Sequence, residues 1–346
     1  MTDSIRDITR KIGLPRIIIS LFFIFLLILA VGIGMPFDAL LGDIIRRFGM
    51  FGILVLAMVP AIQSGIGPNF ALPLGILCGI LGGIVSIELG LLGAQGFWGA
   101  ILISLPFAVL VGVGYGMLLN RIKGSELVVA SYTGFSAVAF MCIMWVVLPF
   151  KHNEMVWPIG RGLRVTISLE STFGYILNNF GGFHIGNFYM PTGLVLFFFV
   201  LCLVVWLFTR SKIGIAMKAA GDNPKFAIAS GIDVDKCRIL GTTLSTVLGA
   251  VGIIAYAQSY GFFQLYMAPL MMAFPAVAAV LIGGATAKKA KISHVIIGVF
   301  LFQGLLTIAL PVANQIIKVG NLSEVLRMIV QNGIILYALT KVGGGE

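Results

Sequence analysis

Residues Thr192–Thr209 read TGLVLFFFVLCLVVWLFT, eighteen consecutive positions without a charged side chain, followed at once by Arg210 and Lys212. About twenty such residues wound as a helix cross the hydrocarbon core of a bilayer. The stretch therefore reads as a membrane span with a basic exit. The rest of the chain has the same character: of 346 residues, 59% are hydrophobic and only 10% charged, 44 are glycine, and the mean hydropathy is +1.07. Soluble domains carry about 25% charged residues, so this composition excludes a water-exposed globular protein. Long continuous apolar runs also exclude an outer-membrane barrel, whose strands alternate apolar and polar positions over about ten residues. What remains is an all-α polytopic membrane protein.

The same ruler places spans near residues 16–34, 50–65, 69–92, 97–119, 127–149, 192–209, 237–259, 266–284, 292–311 and 323–340, about ten transmembrane helices with a short second one. Ile17–Ile33 is too long for a signal-peptide core and lacks a small-x-small cleavage site, so it reads as a retained first span. With the N-terminus in the cytoplasm, sixteen of the 23 Lys and Arg fall on inner connections. These are Arg6, Arg10, Lys11, Arg16, Arg121, Lys123, Arg210, Lys212, Lys218, Lys225, Lys236, Arg238, Lys288, Lys289, Lys291 and Lys341. Arg46, Arg47, Lys151, Arg161, Arg164, Lys318 and Arg327 fall outside. Inner loops carry the basic excess in membrane proteins, which predicts N-in and C-in. The formal charge of +10, which in a soluble protein suggests nucleic acid, here reads as orientation, and no nucleic-acid partner is expected.

The chain reads as a single transmembrane domain over 1–346 with two long connections, an extracytoplasmic loop at 150–191 and a cytoplasmic loop at 210–236. The outer one is long enough to fold over the mouth or meet a partner. Small residues recur at four-residue spacing in Gly75, Gly79 and Gly83, in Gly112 and Gly116, and in Gly241, Ser245 and Gly249. Such stripes let helices approach closely in lipid. Cys78, Cys142, Cys202 and Cys237 sit in separate apolar segments without a C-x-x-C pair and read as small core residues.

No Walker A pattern occurs, so nucleotide hydrolysis is not expected of this chain. His152, His184 and His294 are scattered, and no metal site is expected. Glu88 is the one acidic residue well inside an expected span, at its outer end; ion-coupled carriers use more such groups. If the chain is a transporter, its energy would then enter from another protein.

The 210–236 loop offers a place for that entry. Gly221-Asp222-Asn223-Pro224-Lys225-Phe226-Ala227-Ile228-Ala229-Ser230-Gly231-Ile232 supplies an N-cap in Asn223, a proline at the first helical position and a glycine at the end. These predict a capped helix of about two turns, as compatible with an ordinary loop helix as with one that docks into a partner. Its pattern, G-x-N-P-x-x-A-x-x-x-G-[IV], resembles the coupling-helix region of bacterial ABC importer permeases of the ribose/galactose type. These belong to a branched-chain amino acid, ribose and nucleoside permease superfamily. Ala276 to Ala285 (AVAAVLIGGA) resembles that family's later A-x-x-I-G-G segment. The resemblance implies a type II importer permease in the bacterial cytoplasmic membrane. It further implies a second permease chain, identical or paralogous, separate ABC ATPase subunits holding ATP and Mg, and an extracytoplasmic solute-binding protein. No cofactor falls to this chain, and Gly221, Asp222, Asn223, Pro224, Lys225, Phe226, Ala227, Ile228 and Gly231 become the ATPase contact.

Sugar members of the family carry G-G-x-D-L-S-x-G between the second and third spans, where this chain reads QSGIGPNFALP from Gln63 to Pro73, without an aspartate. A second span from Met50 to Gln63 would rise only about 21 Å against a core of about 30 Å. The break then falls within the membrane, where irregular backbone must be buried by protein or wetted by a path. Gln63, Ser64 and Asn69 are accordingly path candidates, alternatively a plain turn; Ser131, Tyr132, Thr133 and Gln258 are further candidates, alternatively interhelical hydrogen-bonders. The leading expectation is an importer of a sugar or nucleoside, with a stand-alone ion-coupled carrier as the alternative.

Overall fold

The computed structural model describes residues 14–158, 162–316 and 322–343. Arg6, Arg10, Lys11, Arg161 and Lys318, used above to orient the chain, lie outside these residues. In chain order the first helices are α1 (Leu14–Gly32), α2 (Phe37–Leu56), α3 (Met58–Gln63), α4 (Leu72–Glu88), α5 (Gly93–Arg121) and α6 (Glu126–Val147). Then come β1 (Thr166–Ser168), α7 (Ile176–Asn179), β2 (Phe183–Ile185), β3 (Phe188–Met190) and α8 (Thr192–Arg210). The chain continues through α9 (Lys212–Asp222), α10 (Pro224–Ala229), α11 (Val234–Tyr260), β4 (Phe262–Gln264), α12 (Ala268–Ile282), α13 (Ile292–Ile316) and α14 (Leu322–Gly343). Helix dominates because a backbone in hydrocarbon must satisfy its own N–H and C=O groups.

Six described helical runs are long and apolar enough to cross a membrane, and Arg16–Gly32, Leu72–Glu88 and Ala268–Ile282 are shorter apolar helices. The chain is a multi-pass membrane protein. The second expected span is corrected: it begins at Phe37, not near Met50, and α2 with α3 makes one run of 27 residues, about 40 Å long at 1.5 Å per residue. Phe37, Leu40, Leu41, Ile44, Ile45 and Phe48 carry the three- and four-residue apolar spacing. Asp43 and Arg46 pair one turn apart at 2.8 Å, which offsets part of their cost in the span. The shortness that argued for an intramembrane break is therefore absent, and Arg46 and Arg47 belong to a helix instead of a loop.

At the centre stands α11, packed on α5, α4, α2 and α3. The small-residue stripes make this possible. A Cβ at Gly75 would overlap the Thr246 carbonyl and one at Gly79 the Ala250 carbonyl, while one at Gly112 would lie 2.7 Å from the Thr243 Cα. The α11 window is 72% buried and that of α2–α3 83%, against 17% for α6. The outward Leu127, Val128, Phe140 and Ile143 of α6 thus face the apolar solvent that a membrane supplies. Asp233 caps α11 by accepting from the Lys236 N–H at 3.0 Å, and that bond, with the Lys236 ammonium, holds its carboxyl below the usual range. Gly261, at φ +97°, ends the helix where a side chain would be strained.

The 150–191 connection folds back on the bundle. Antiparallel β1 and β4 pair Ile167 with Phe263, β2 and β3 form a hairpin, and the Glu88 carboxylate accepts the Lys151 and His152 N–H groups at 3.1 Å. Glu88 is thereby an anchor for the loop.

Candidate functional site

The loop after α8 is built by local capping. Ser211 Oγ accepts the Gly214 N–H at 3.2 Å to start α9, and Asn223 Oδ1 accepts the Phe226 N–H at 3.1 Å to start α10, with Pro224 at its first position. Gly231, at φ +77°, closes the turn. Ala227 is fully buried against Met217, Ala220 and Cys237, so α10 has a fixed seat. On its other face Phe226 is 62% and Ile228 65% exposed, beside exposed Asp222 and Lys225. Two large apolar side chains held outward on a seated helix form a surface suited to a partner's cleft.

The seat is tied to the bundle through the turn after α3. Gly221 and Gly65 meet backbone to backbone: a Cβ on Gly65 would lie 2.9 Å from the Gly221 Cα, and one on Gly221 would lie 2.8 Å from the Gly65 nitrogen. Gln63 Nε2 donates to the Ala290 carbonyl at 2.8 Å, Ser64 Oγ to Ala61 O at 2.9 Å and Asn69 Nδ2 to Ser245 Oγ at 2.8 Å, all three residues being buried. With the Gly65–Gly221 contact they form a joint between α3, α9, α11 and the connection before α13. Gly65 has φ +82°, so Gly65→Ala adds left-handed strain of about 1–2 kcal/mol to the clash with Gly221. A heating midpoint several degrees lower, read as the loss of monodisperse protein, is the expected outcome.

The other four path candidates are dispersed. Ser131 bonds back to Leu127 O at 3.0 Å, Tyr132 is 69% exposed on α6, and Thr133 is half-buried beside it. Gln258 is fully buried: its Oε1 accepts the Leu177 N–H at 3.1 Å and its Nε2 donates to Ala255 O and Asn178 Oδ1. It holds α7 against α11.

Two residues along α11, on the opposite face, lies what the sequence reading missed. Tyr256 lines a cavity of about 410 Å³ with Arg47 of α2, Gln264, Met271 and Met272 of α12, Gln303 of α13, and Arg327 and Gln331 of α14. This volume falls among typical ligand pockets of roughly 300–1,000 Å³. A smaller recess adjoins it, where Tyr256 stacks on Tyr260 at 5.5 Å and Tyr260 meets Phe262 edge-on at 4.7 Å. The cavity lies near the β4 end of α11, and α10 lies beyond the other end: Tyr256 stands 22 residues, about 33 Å, along the helix from Val234. Among the described residues, no group of three or more His, Cys, Asp or Glu is placed to hold a metal.

The family model for the branched-chain amino acid transport system / permease component matches residues 40–339. The chain belongs to this permease family. Among relatives of the permease, the galactofuranose transporter permease protein YtfT of Escherichia coli (strain K12) is 25% identical over 286 residues, 80% of this chain and 75% of that protein. The nucleoside ABC transporter permease protein NupB of Lactococcus lactis subsp. cremoris (strain MG1363) is 22% identical over 192 residues, 53% of this chain and 51% of its own length. A solved inward-facing ABC transporter aligns over 94% of the permease and 99% of its own chain, with 15% identity and a TM-score of 0.47.

The permease has a second tie at the α10 end. Arg238, in the second turn of α11, reaches Glu126 Oε1 at 2.6 Å and Asn120 Oδ1 at 2.9 Å, while Lys123 reaches Asp235 at 2.6 Å. These contacts clasp the α5–α6 turn to the helix that follows α10.

Proposed function

We propose that the chain is the transmembrane permease subunit of an ATP-driven ABC importer in a bacterial cytoplasmic membrane. It takes up a small hydrophilic solute, a sugar or nucleoside, delivered by an extracytoplasmic solute-binding protein. In this reading residues 1–346 form one permease domain of about ten spans with both ends in the cytoplasm, α10 on the inner side and the 410 Å³ cavity on the outer. A second permease chain, identical or paralogous, completes the pore. Partner ATPases carry ATP and Mg, and this chain contributes transport without hydrolysis.

The observation that carries the reading is α10: a capped helix seated through Ala227, with Phe226 and Ile228 turned outward. ATPase closure would push that helix, and the Gly221–Gly65 joint and α11 would pass the displacement to the cavity end. The helix moves the bundle only if the closed ATPase state binds it better than the open one. Purification of the tagged chain from its native membrane is expected to bring an ABC ATPase subunit with it, and uptake is expected to stop on ATP depletion. A chain that purifies alone and whose uptake is abolished by an ionophore but spared by ATP depletion is an ion-coupled carrier, and the importer reading fails.

A further inference from the structure

The cavity at the β1–β4 end has a charge that a neutral sugar or nucleoside does not call for. Arg47 lies ten residues into α2, about 15 Å from the helix start at 1.5 Å per residue. Arg47 is exposed, and the turns of α2 before it pack on the β2–β3 hairpin, Gly42 against Tyr189, so its guanidinium stands at the open mouth of the cavity, where a solute can reach it. Its neighbours are accounted for: Arg46 pairs with Asp43 at 2.8 Å, and Arg327 pairs with Glu324, Nε to Oε2 at 2.9 Å. Arg47 alone of the three has no carboxylate within ion-pair distance among the described residues, and the cavity wall contains no Asp or Glu. The side-chain amides of Gln264 and Gln303 line the same space and likewise have no hydrogen-bond partner among the described residues.

We propose that this cavity is an anion-selective solute site, in which Arg47 takes the carboxylate or phosphate of a small hydroxylated solute. The proposal rests on the importer reading and narrows its solute class. A guanidinium presents paired N–H donors that match a carboxylate or phosphate fork, and the amides of Gln264 and Gln303 supply both donors and acceptors for hydroxyl groups. The Tyr256–Tyr260 stack and the methionines give the flat, soft faces on which a ring can lie. An anionic lipid headgroup offers the same phosphate chemistry, but its acyl chains have no use for a wall of amides.

The test is saturation-transfer NMR on the full chain in phosphatidylcholine nanodiscs, with galactose, galacturonate and galactose 1-phosphate as probes at millimolar concentration. At least one of the two anions is expected to give a signal about fivefold above that of galactose. Arg47→Gln should bring it down to the galactose level, and Arg47→Lys should restore part of it. Equal signals from all three probes overturn the proposal, and this comparison needs only the unaltered chain. An anion preference that survives in a monodisperse Arg47→Gln chain overturns it as well. So does selective retention of phosphatidylglycerol through Arg47 with no signal from either anionic sugar, which would make the occupant a lipid. Failure to co-purify an ATPase would sink the importer reading alone, since the NMR measurement needs no partner.

Discussion

Phe226→Asp is expected to strip the ATPase from the purified complex and abolish ATP-driven uptake, while the chain itself still elutes as folded, monodisperse protein. The side chain is 62% exposed and takes no part in the Met217–Ala220–Ala227–Cys237 cluster that seats α10. Exposed substitutions away from caps and cores change stability by about 0.5 kcal/mol or less, so the fold has little to lose. The interface has much more to lose. Moving a carboxylate into an apolar cleft without a partner costs several kcal/mol, and about 3 kcal/mol is already more than a hundredfold in affinity. Ala227→Leu is the internal contrast: it overpacks the seat at about 1–3 kcal/mol and should lower the heating midpoint before it touches binding. Pull-down stoichiometry and uptake, measured on the same preparations, separate the two. An unchanged ATPase content in Phe226→Asp would mean that α10 is an ordinary loop helix.

The helical, multi-pass membrane character and the capped helix were legible because both rest on local signals. Apolar runs of span length have only one stable solution in lipid, and Asn223-Pro224 followed by Gly231 spells out a short helix whatever surrounds it. The span from Phe37 was not legible, because a charge count penalises Asp38, Asp43, Arg46 and Arg47 singly, whereas in three dimensions Asp43 neutralises Arg46 and Arg47 turns to a cavity. The i, i+3, i+4 apolar pattern from Phe37 to Phe48 was the available signal, and it needed to be weighed before hydropathy. The path candidates show a second limit. Polarity marks Gln258 and leaves Tyr256 unremarked, yet the amide is consumed by Leu177, Asn178 and Ala255 while the phenol faces open space. Which side of a helix faces a cavity depends on partners distant in sequence, here α2, α12, α13 and α14, and no single run of residues encodes it. The glycine stripes are intermediate: their four-residue spacing predicts close packing, and the fold adds that α11 is the common partner.

Arg238→Ala is expected to destabilise the chain by about 3–5 kcal/mol, the range for breaking a buried ion pair by removing one partner, and to uncouple ATP hydrolysis from uptake. The Arg238 and Glu126 side chains are only 10% and 17% exposed, and the guanidinium also serves Asn120. Removing it leaves the Glu126 carboxylate sequestered without its cation and the Asn120 oxygen without a donor, a larger penalty than the pair's own net contribution. The double change Arg238→Ala with Glu126→Gln should therefore recover much of the loss, because no uncompensated charge remains. Arg238→Lys should fall between, since an ammonium cannot bridge the carboxylate and the amide as the forked guanidinium does. The functional consequence follows from position. Arg238 joins the start of α11 to the α5–α6 turn, so without it a push on α10 can be absorbed as local slack at the head of α11 instead of carried along the helix. The signature is a fall in solute taken up per ATP hydrolysed that exceeds any fall in ATPase activity, measured in proteoliposomes at a temperature where the variant remains monodisperse. A variant that melts and couples like the parent would show that the clasp contributes neither stability nor transmission.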